Sequence, residues 1–245
     1  GEEGLRIMSE MSKKYSMPII TEVMSEKQAD IAVHVADVLQ IGSRNMQNFE
    51  LLKHIGTLNK PVILKRGLSA TLEEFVMAAE YILAGGNKNV ILCERGIRSY
   101  DSATRNVLDL GGVVALRHMT HLPIIVDPSH ACGRSELVAD LARAAVACGA
   151  DGIMIGRCIF GNPWCFNTNK KIEDVPVSER LAVMIEHTRL FTELYEGKKS
   201  FHIMRKHYKA YANGFDRAKE LRVRLMETEN ADEVESVVAA FLKTL

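Results

Sequence analysis

Four polar clusters recur along the first part of the chain, each closing a short apolar run and each followed by a helix-like pattern. They are Ile41-Gly42-Ser43-Arg44-Asn45, Leu64-Lys65-Arg66-Gly67, Cys93-Glu94-Arg95-Gly96 and Asp127-Pro128-Ser129-His130. Their spacing of about 25–35 residues is that of one βα unit. Parallel strands that all deliver polar side chains at their C-terminal ends describe the functional face of a (β/α) barrel. The side chains delivered are mostly Arg, Lys, Glu, Asp and His, which suits an anionic, phosphorylated ligand with a metal nearby.

The pattern predicts a helix over Glu2–Tyr15 and then strands at Pro18–Val23, Val38–Ile41, Pro61–Lys65, Val90–Glu94, Pro123–Asp127 and Gly152–Ile155. Helices are predicted between them at Glu26–Ala36, Asn48–Ile55, Thr71–Ala84, Thr104–His118 and Glu136–Cys148. Thr71-Leu72-Glu73-Glu74 reads as a capping box and Gly85-Gly86 as a stop. The alternation implies a parallel sheet with right-handed crossovers. Six strands are read here, whereas a closed barrel of this type has eight.

The fold class expected is therefore an α/β barrel of TIM type, incomplete in this chain, over residues 1–167. An all-helical domain is expected over 168–245, with helices at Ser178–Tyr195, Ser200–Ala212, Asp216–Glu227 and Ala231–Leu242. The chain starts on a helix and its first residue is Gly rather than Met, so the missing pair of strands is expected ahead of residue 1. Two open sheet edges, near Ile19–Val23 and Ile153–Ile155, favour self-association, and a homo-oligomer is expected.

The net charge of zero gives no global electrostatic case for a nucleic-acid or membrane partner. No apolar run approaches the roughly 20 residues of a membrane span, and no signal-peptide pattern opens the chain. The five cysteines (Cys93, Cys132, Cys148, Cys158, Cys165) are odd in number and form no CxxC pair, which favours free thiols and a cytoplasmic location.

The segments IGSRNMQNF (41–49), LKRGLSAT (64–71), NVILCERGIRSYDSATRNVLDL (89–110) and LPIIVDPSHACGR (122–134) resemble 3-deoxy-D-arabino-heptulosonate 7-phosphate (DAHP) synthase of the shorter microbial type, over residues 1–152. The resemblance implies condensation of phosphoenolpyruvate with erythrose 4-phosphate, assisted by a divalent metal such as manganese. It implies phosphoenolpyruvate contacts for Arg44, Lys65 and Arg95, with Arg66 beside them, and catalytic duties for Lys65, Glu94 and Asp127. His130 matches the family's metal-ligating His, oriented by Asp127. The family's other metal ligands have no match: its Cys lies on a strand not seen here, its Glu falls where this chain has Ile155-Gly156-Arg157, and its Asp is missing. Its Lys-Pro-Arg-Thr loop is likewise not found. Donor binding with little turnover is the expectation.

A second resemblance covers residues 149–245. GADGIMIGRCIFGNPWCF (149–166), FHIMRKHYKAYANG (201–214) and AKELRVRLMET (218–228) look like the C-terminal end of a tRNA-dihydrouridine synthase, an FMN-dependent barrel enzyme. The resemblance implies an FMN phosphate site at Gly156 and Arg157, although a sugar phosphate would suit the same turn. That family's catalytic Cys and flavin-contacting residues have no counterpart on the earlier strands. The chain thus reads as a hybrid joined near 149–156, and a non-catalytic hybrid with residual anion and RNA binding is a third reading.

Within the helical part, Lys198, Lys199, Arg205, Lys206, Lys209, Arg217, Lys219, Arg222 and Arg224 are opposed only by Asp216 and Glu220, with His202, His207, Tyr208 and Tyr211 interleaved. Weak, salt-sensitive tRNA binding and a solvated helix face balanced by Glu227, Glu229, Asp232, Glu233 and Glu235 weigh about evenly. His34, His54, His118, His121 and His187 are read as surface or helix-end residues. Met8, Met11, Met77, Met119, Met184 and Met204 are read as core fillers.

Overall fold

A computed structural model describes residues 1–156, 161–164, 170 and 172–244. The chain forms two compact units, Gly1–Ile155 and Gly156–Leu245.

The first unit is a single sheet of six parallel strands in the order of the sequence: β1 (Ile20–Val23), β2 (Val38–Ile41), β3 (Val62–Lys65), β4 (Val90–Glu94), β5 (Ile124–Val126) and β6 (Gly152–Ile153). Its helices are α1 (Glu2–Tyr15), α2 (Glu26–Ala32), α3 (Phe49–Gly56), α4 (Leu72–Ala84), α5 (Leu110–Met119), α6 (Pro128–Cys132) and α7 (Ser135–Ala147). This is the incomplete TIM-type arrangement expected from the alternation. Leu39, Ile41, Leu64, Leu92, Ile124 and Val126 on the strands pack with Leu52, Ile55, Phe75, Ile82 and Leu116 on the helices in one buried core.

Local chemistry fixes the helix starts. Thr71 and Glu74 form the full capping box of α4, and Ser25, Asn48, Asp109 and Asp127 each accept a backbone N–H at the start of α2, α3, α5 and α6. Gly85 ends α4 and allows a close approach: a Cβ there would lie 2.7 Å from the Gly56 backbone of α3.

The structure departs from the expected elements in several places. Residues Thr104–Asp109 are not helical. The Arg105 and Asn106 N–H groups donate to the carbonyls of Cys132 and Ala131, and Val107 makes an antiparallel bridge to Ile97, so the helix begins only after its Asp109 cap. The short helix α6 was not anticipated. Met77 and Met119 lie on the exposed faces of their helices, at 54% and 47% exposure, and are not core fillers. Met184 and Met204 are fully buried, as expected of core residues.

The second unit is helical: α8 (Val177–Tyr195), α9 (Arg205–Tyr211), α10 (Ala218–Met226) and α11 (Ala231–Leu242). Phe201–Met204 is a 3-10 turn ahead of α9 rather than part of it. Leu181, Met184, Met204, Leu221, Leu225, Val234, Val238 and Phe241 form its core. Tyr208 and Tyr211 join that core, so neither is open to stack on a base. Several of the cations are also engaged: Arg205 with Glu229, Arg217 with Glu220, and Arg222 with the Ala212 carbonyl. His187 sits mid-helix, half-buried, edge-on to His207 with ring centroids 4.8 Å apart. Among the described residues no helix is long and apolar enough to cross a membrane.

Candidate active site

The backbone ladder runs past the strand ends and carries the polar residues with it. Lys65 of β3 pairs with Cys93 of β4, and Glu94 pairs with Val126 of β5. Beyond them the Arg66 N–H donates to the Cys93 carbonyl at 3.0 Å and the Asp127 N–H to the Glu94 carbonyl at 2.7 Å. Lys65, Arg66, Glu94, Arg95 and Asp127 therefore stand side by side, and all are buried.

Two acid–base groups result. In the first, Asp127 Oδ2 accepts from Lys65 Nζ at 2.7 Å and lies 2.7 Å from His130 Nδ1, while Oδ1 accepts the His130 backbone N–H at 3.0 Å. Burial disfavours the Asp127 charge, but the His130 hydrogen bonds and Lys65 outweigh it and hold the carboxyl down to about 2. A carboxylate can only accept, so Nδ1 of His130 is the donor, and Nε2 points away from this bond. Burial pushes the Cys93 thiol up, which leaves it a neutral packing group rather than a nucleophile.

In the second group, Arg66 Nη1 donates to Glu94 Oε2 at 2.9 Å and to Asp109 Oδ2 at 2.8 Å, and Arg66 Nε to the Ala70 carbonyl at 3.0 Å. Glu94 Oε1 accepts the Gly96 N–H at 2.6 Å. Burial pushes the Glu94 carboxyl up from its ordinary value, while Arg66 and the Gly96 N–H favour its charge. Arg66 was expected to touch substrate. Its guanidinium ties the β3 and β4 ends to the start of α5. Asp109, which was not singled out from the sequence, completes this group. Its signal was an Asp placed before Gly111-Gly112 at a helix start, hidden by reading 104–118 as one helix.

Among the described residues, two of the expected cations have no carboxylate bonded to them. Arg95 is buried, and its one hydrogen bond among the described residues is a long one of 3.5 Å to the Gly96 carbonyl. Arg44 is exposed in a cleft of about 270 Å³ shared with Ser43, Gln47 and Ser69. Among the described residues nothing lies within 4 Å of where a Cβ on Gly156 would stand. Arg157, Cys158 and Cys165 lie outside the described residues.

The profile of the DAHP synthetase I family matches residues 1–159. The chain belongs to the DAHP synthetase I family. Over 155 residues it is 52% identical to a phospho-2-dehydro-3-deoxyheptonate aldolase of Thermotoga maritima, covering 63% of this chain and 46% of that protein. It is 33% identical over 167 residues to a 2-dehydro-3-deoxyphosphooctonate aldolase of a Janthinobacterium species, covering 63% of this chain and 58% of that one. The crystal structure of the Thermotoga maritima DAHP synthase superposes with a TM-score of 0.62 over 63% of this chain and 45% of its own. A truncated form of the Thermotoga maritima enzyme gives 0.61 over 58% of its length. The chain thus spans about half the length of these relatives.

Among the described residues the donor set does not make a metal centre of the kind expected for a DAHP synthetase I protein. Among the described residues no three His, Cys, Asp or Glu side chains are grouped to hold an ion. His130 offers one nitrogen. Cys132 turns its thiol back to the Pro128 and Arg134 carbonyls at 3.0 and 3.2 Å.

Proposed function

We propose that the first unit carries the donor half of a DAHP synthase-type site, one that binds phosphoenolpyruvate for condensation with erythrose 4-phosphate. The observation that carries this reading is Arg95, a buried guanidinium at a strand's C-terminal end with no acid hydrogen-bonded to it among the described residues. Burying a cation with no acid bonded to it is costly, and a bound anion offsets that cost. Arg95 and Lys65 would face the donor's charged groups, with Arg44 at the adjoining cleft. Asp127 fixes the Lys65 ammonium and the His130 ring on one oxygen, which aims both.

In the reaction, C3 of phosphoenolpyruvate bonds to the aldehyde carbon, water supplies the oxygen at C2, and phosphate leaves. The part of this that the first unit's residues support is donor capture and orientation. The name of the Thermotoga maritima relative supports the same chemistry. The test is phosphoenolpyruvate binding by calorimetry, followed by its consumption with erythrose 4-phosphate and added manganese. Binding that Arg95→Ala removes supports the reading, and absence of binding overturns it.

For residues 149–245 we infer a separate descent, related to the tRNA-dihydrouridine synthase C-terminal region. Its support is the motif resemblance, together with the division of the chain at Ile155–Gly156 close to where the family match ends. Flavin absorbance in the purified protein, or tRNA retardation at low salt, would test whether FMN or RNA binding accompanies that descent. Self-association is proposed along β1, whose flank exposes Met17, Ile20 and Met24. Light scattering showing a monomer at high concentration counts against it.

A further inference from the structure

We propose that Arg105 is a second anion-binding cation of this site, which closes over the outer charged group of a ligand held by Arg95 and so selects an acid phosphate, with two separate anionic groups, over acids with one. The proposal rests on the donor-site reading given above.

Arg105 lies on the loop Thr104–Asp109 and is laid against α6. Its N–H donates to the Cys132 carbonyl at 3.0 Å, the Asn106 N–H to the Ala131 carbonyl at 2.8 Å, and Asn106 Nδ2 to the His130 carbonyl at 3.1 Å. Two glycines with positive φ permit that contact. A Cβ on Gly133 (φ 69°) would stand 2.9 Å from the Arg105 Cβ, and one on Gly96 (φ 93°) 2.9 Å from the Asn106 Cβ. The residue after Arg95 therefore touches the residue after Arg105, and the two arginines hang from chain segments in contact.

The acids around them are already engaged. Asp127 is occupied by Lys65 and His130, and Glu94 by Arg66 and the Gly96 N–H. Among the described residues the exposed Arg105 guanidinium has no hydrogen bond or ion pair. Burial lowers the Arg95 pKa, with Asp127 opposing and the nearby charge of Arg105 adding to the lowering, so the two guanidiniums repel. Like charges held close without a bonded acid are relieved by an anion that accepts from both forks. The burial of Arg95 and the exposure of Arg105 assign them to the inner and outer ends of such a ligand.

The experiment is calorimetric titration of the full chain with phosphoenolpyruvate and with pyruvate, for the unaltered protein, Arg105→Ala, Arg105→Lys and Arg95→Ala. Arg105→Ala is expected to weaken phosphoenolpyruvate binding by about 10- to 100-fold, the scale of a lost charged hydrogen bond. Pyruvate binding should change by less than about 3-fold, Arg105→Lys should fall between, and the melting temperature should not move. Loss of binding in Arg95→Ala with none in Arg105→Ala overturns the proposal while leaving the donor reading intact. So does a lowered melting temperature in Arg105→Ala that accounts for its weaker binding. Failure of the unaltered chain to bind phosphoenolpyruvate overturns the donor reading, and this proposal with it.

Discussion

Lys65 and Asp127 belong to the ends of strands that are not neighbours, and their side chains still meet at 2.7 Å across the end of β4. Next-but-one strands in a sheet stand roughly 10 Å apart, so the contact uses nearly the full reach of a lysine. Both groups are buried, and the pair clamps three strand ends together. Removing one member of a buried pair leaves the other uncompensated. Lys65→Met should therefore cost about 3–5 kcal/mol in urea denaturation of the first unit. A loss below 1 kcal/mol would mean that water already solvates Asp127.

Asp127 also sets a pH dependence. Its folded pKa of about 2 lies below the ordinary 3.8, so the unfolded state binds more protons in the interval between them. The stabilisation is fully present above pH 3.8 and is lost as pH falls through about 2. It amounts to about 2 kcal/mol. Denaturation free energies measured from pH 6 down to 2 should show this limb in the unaltered chain and lack it in Asp127→Asn.

Asp109 has two duties, one on each oxygen: Oδ1 caps α5 at the Gly112 N–H and Oδ2 holds Arg66. Asp109→Asn keeps a capping oxygen and loses the charge, whereas Asp109→Ala loses both. The expected order of stability is wild type, then Asn, then Ala. Each step should cost about 1–2 kcal/mol in thermal or chemical melts. Equal melting of Asn and Ala variants would show that the cap contributes nothing.

In the helical unit, burial and the nearby charges of His187 and Lys206 push the His207 pKa down to about 4. A base with a lowered folded pKa is stabilising above its unfolded value of 6.5, and that contribution falls away as pH drops toward 4. The ring is part-exposed, so screening reduces the effect to roughly 1 kcal/mol. Histidine proton shifts followed by NMR should place the His207 midpoint well below that of a surface histidine. A midpoint near 6.5 would contradict the packing of these two rings.

Those features of the chain that act locally were legible in its sequence. The Thr71–Glu74 capping box and the Gly85 stop formed as read, because each depends on neighbours within one helical turn. The strand ends were legible too, since apolar runs closed by charge mark where a parallel strand leaves the core. Residues 104–109 were not, because what holds them out of a helix is the backbone of α6, some twenty-five residues later. The separation of Arg66 from Arg95 was hidden for a similar reason. Both are arginines at strand ends, and the positions of Glu94 and Asp109 together decide that the first is neutralised internally. Tyr208 and Tyr211 looked like a stacking surface because their helical phase relative to the core was not apparent from the interleaved lysines.

The hydrogen-bond ladder that continues past Lys65 and Glu94 has an evolutionary side. The Cα positions of Arg66 and Asp127 are set by main-chain bonds to Cys93 and Glu94, and those bonds do not depend on which side chains occupy the sites. Substitution there changes the chemistry offered at a fixed address. A lineage can exchange one anionic ligand for another at these strand ends without first having to rebuild the sheet that presents them.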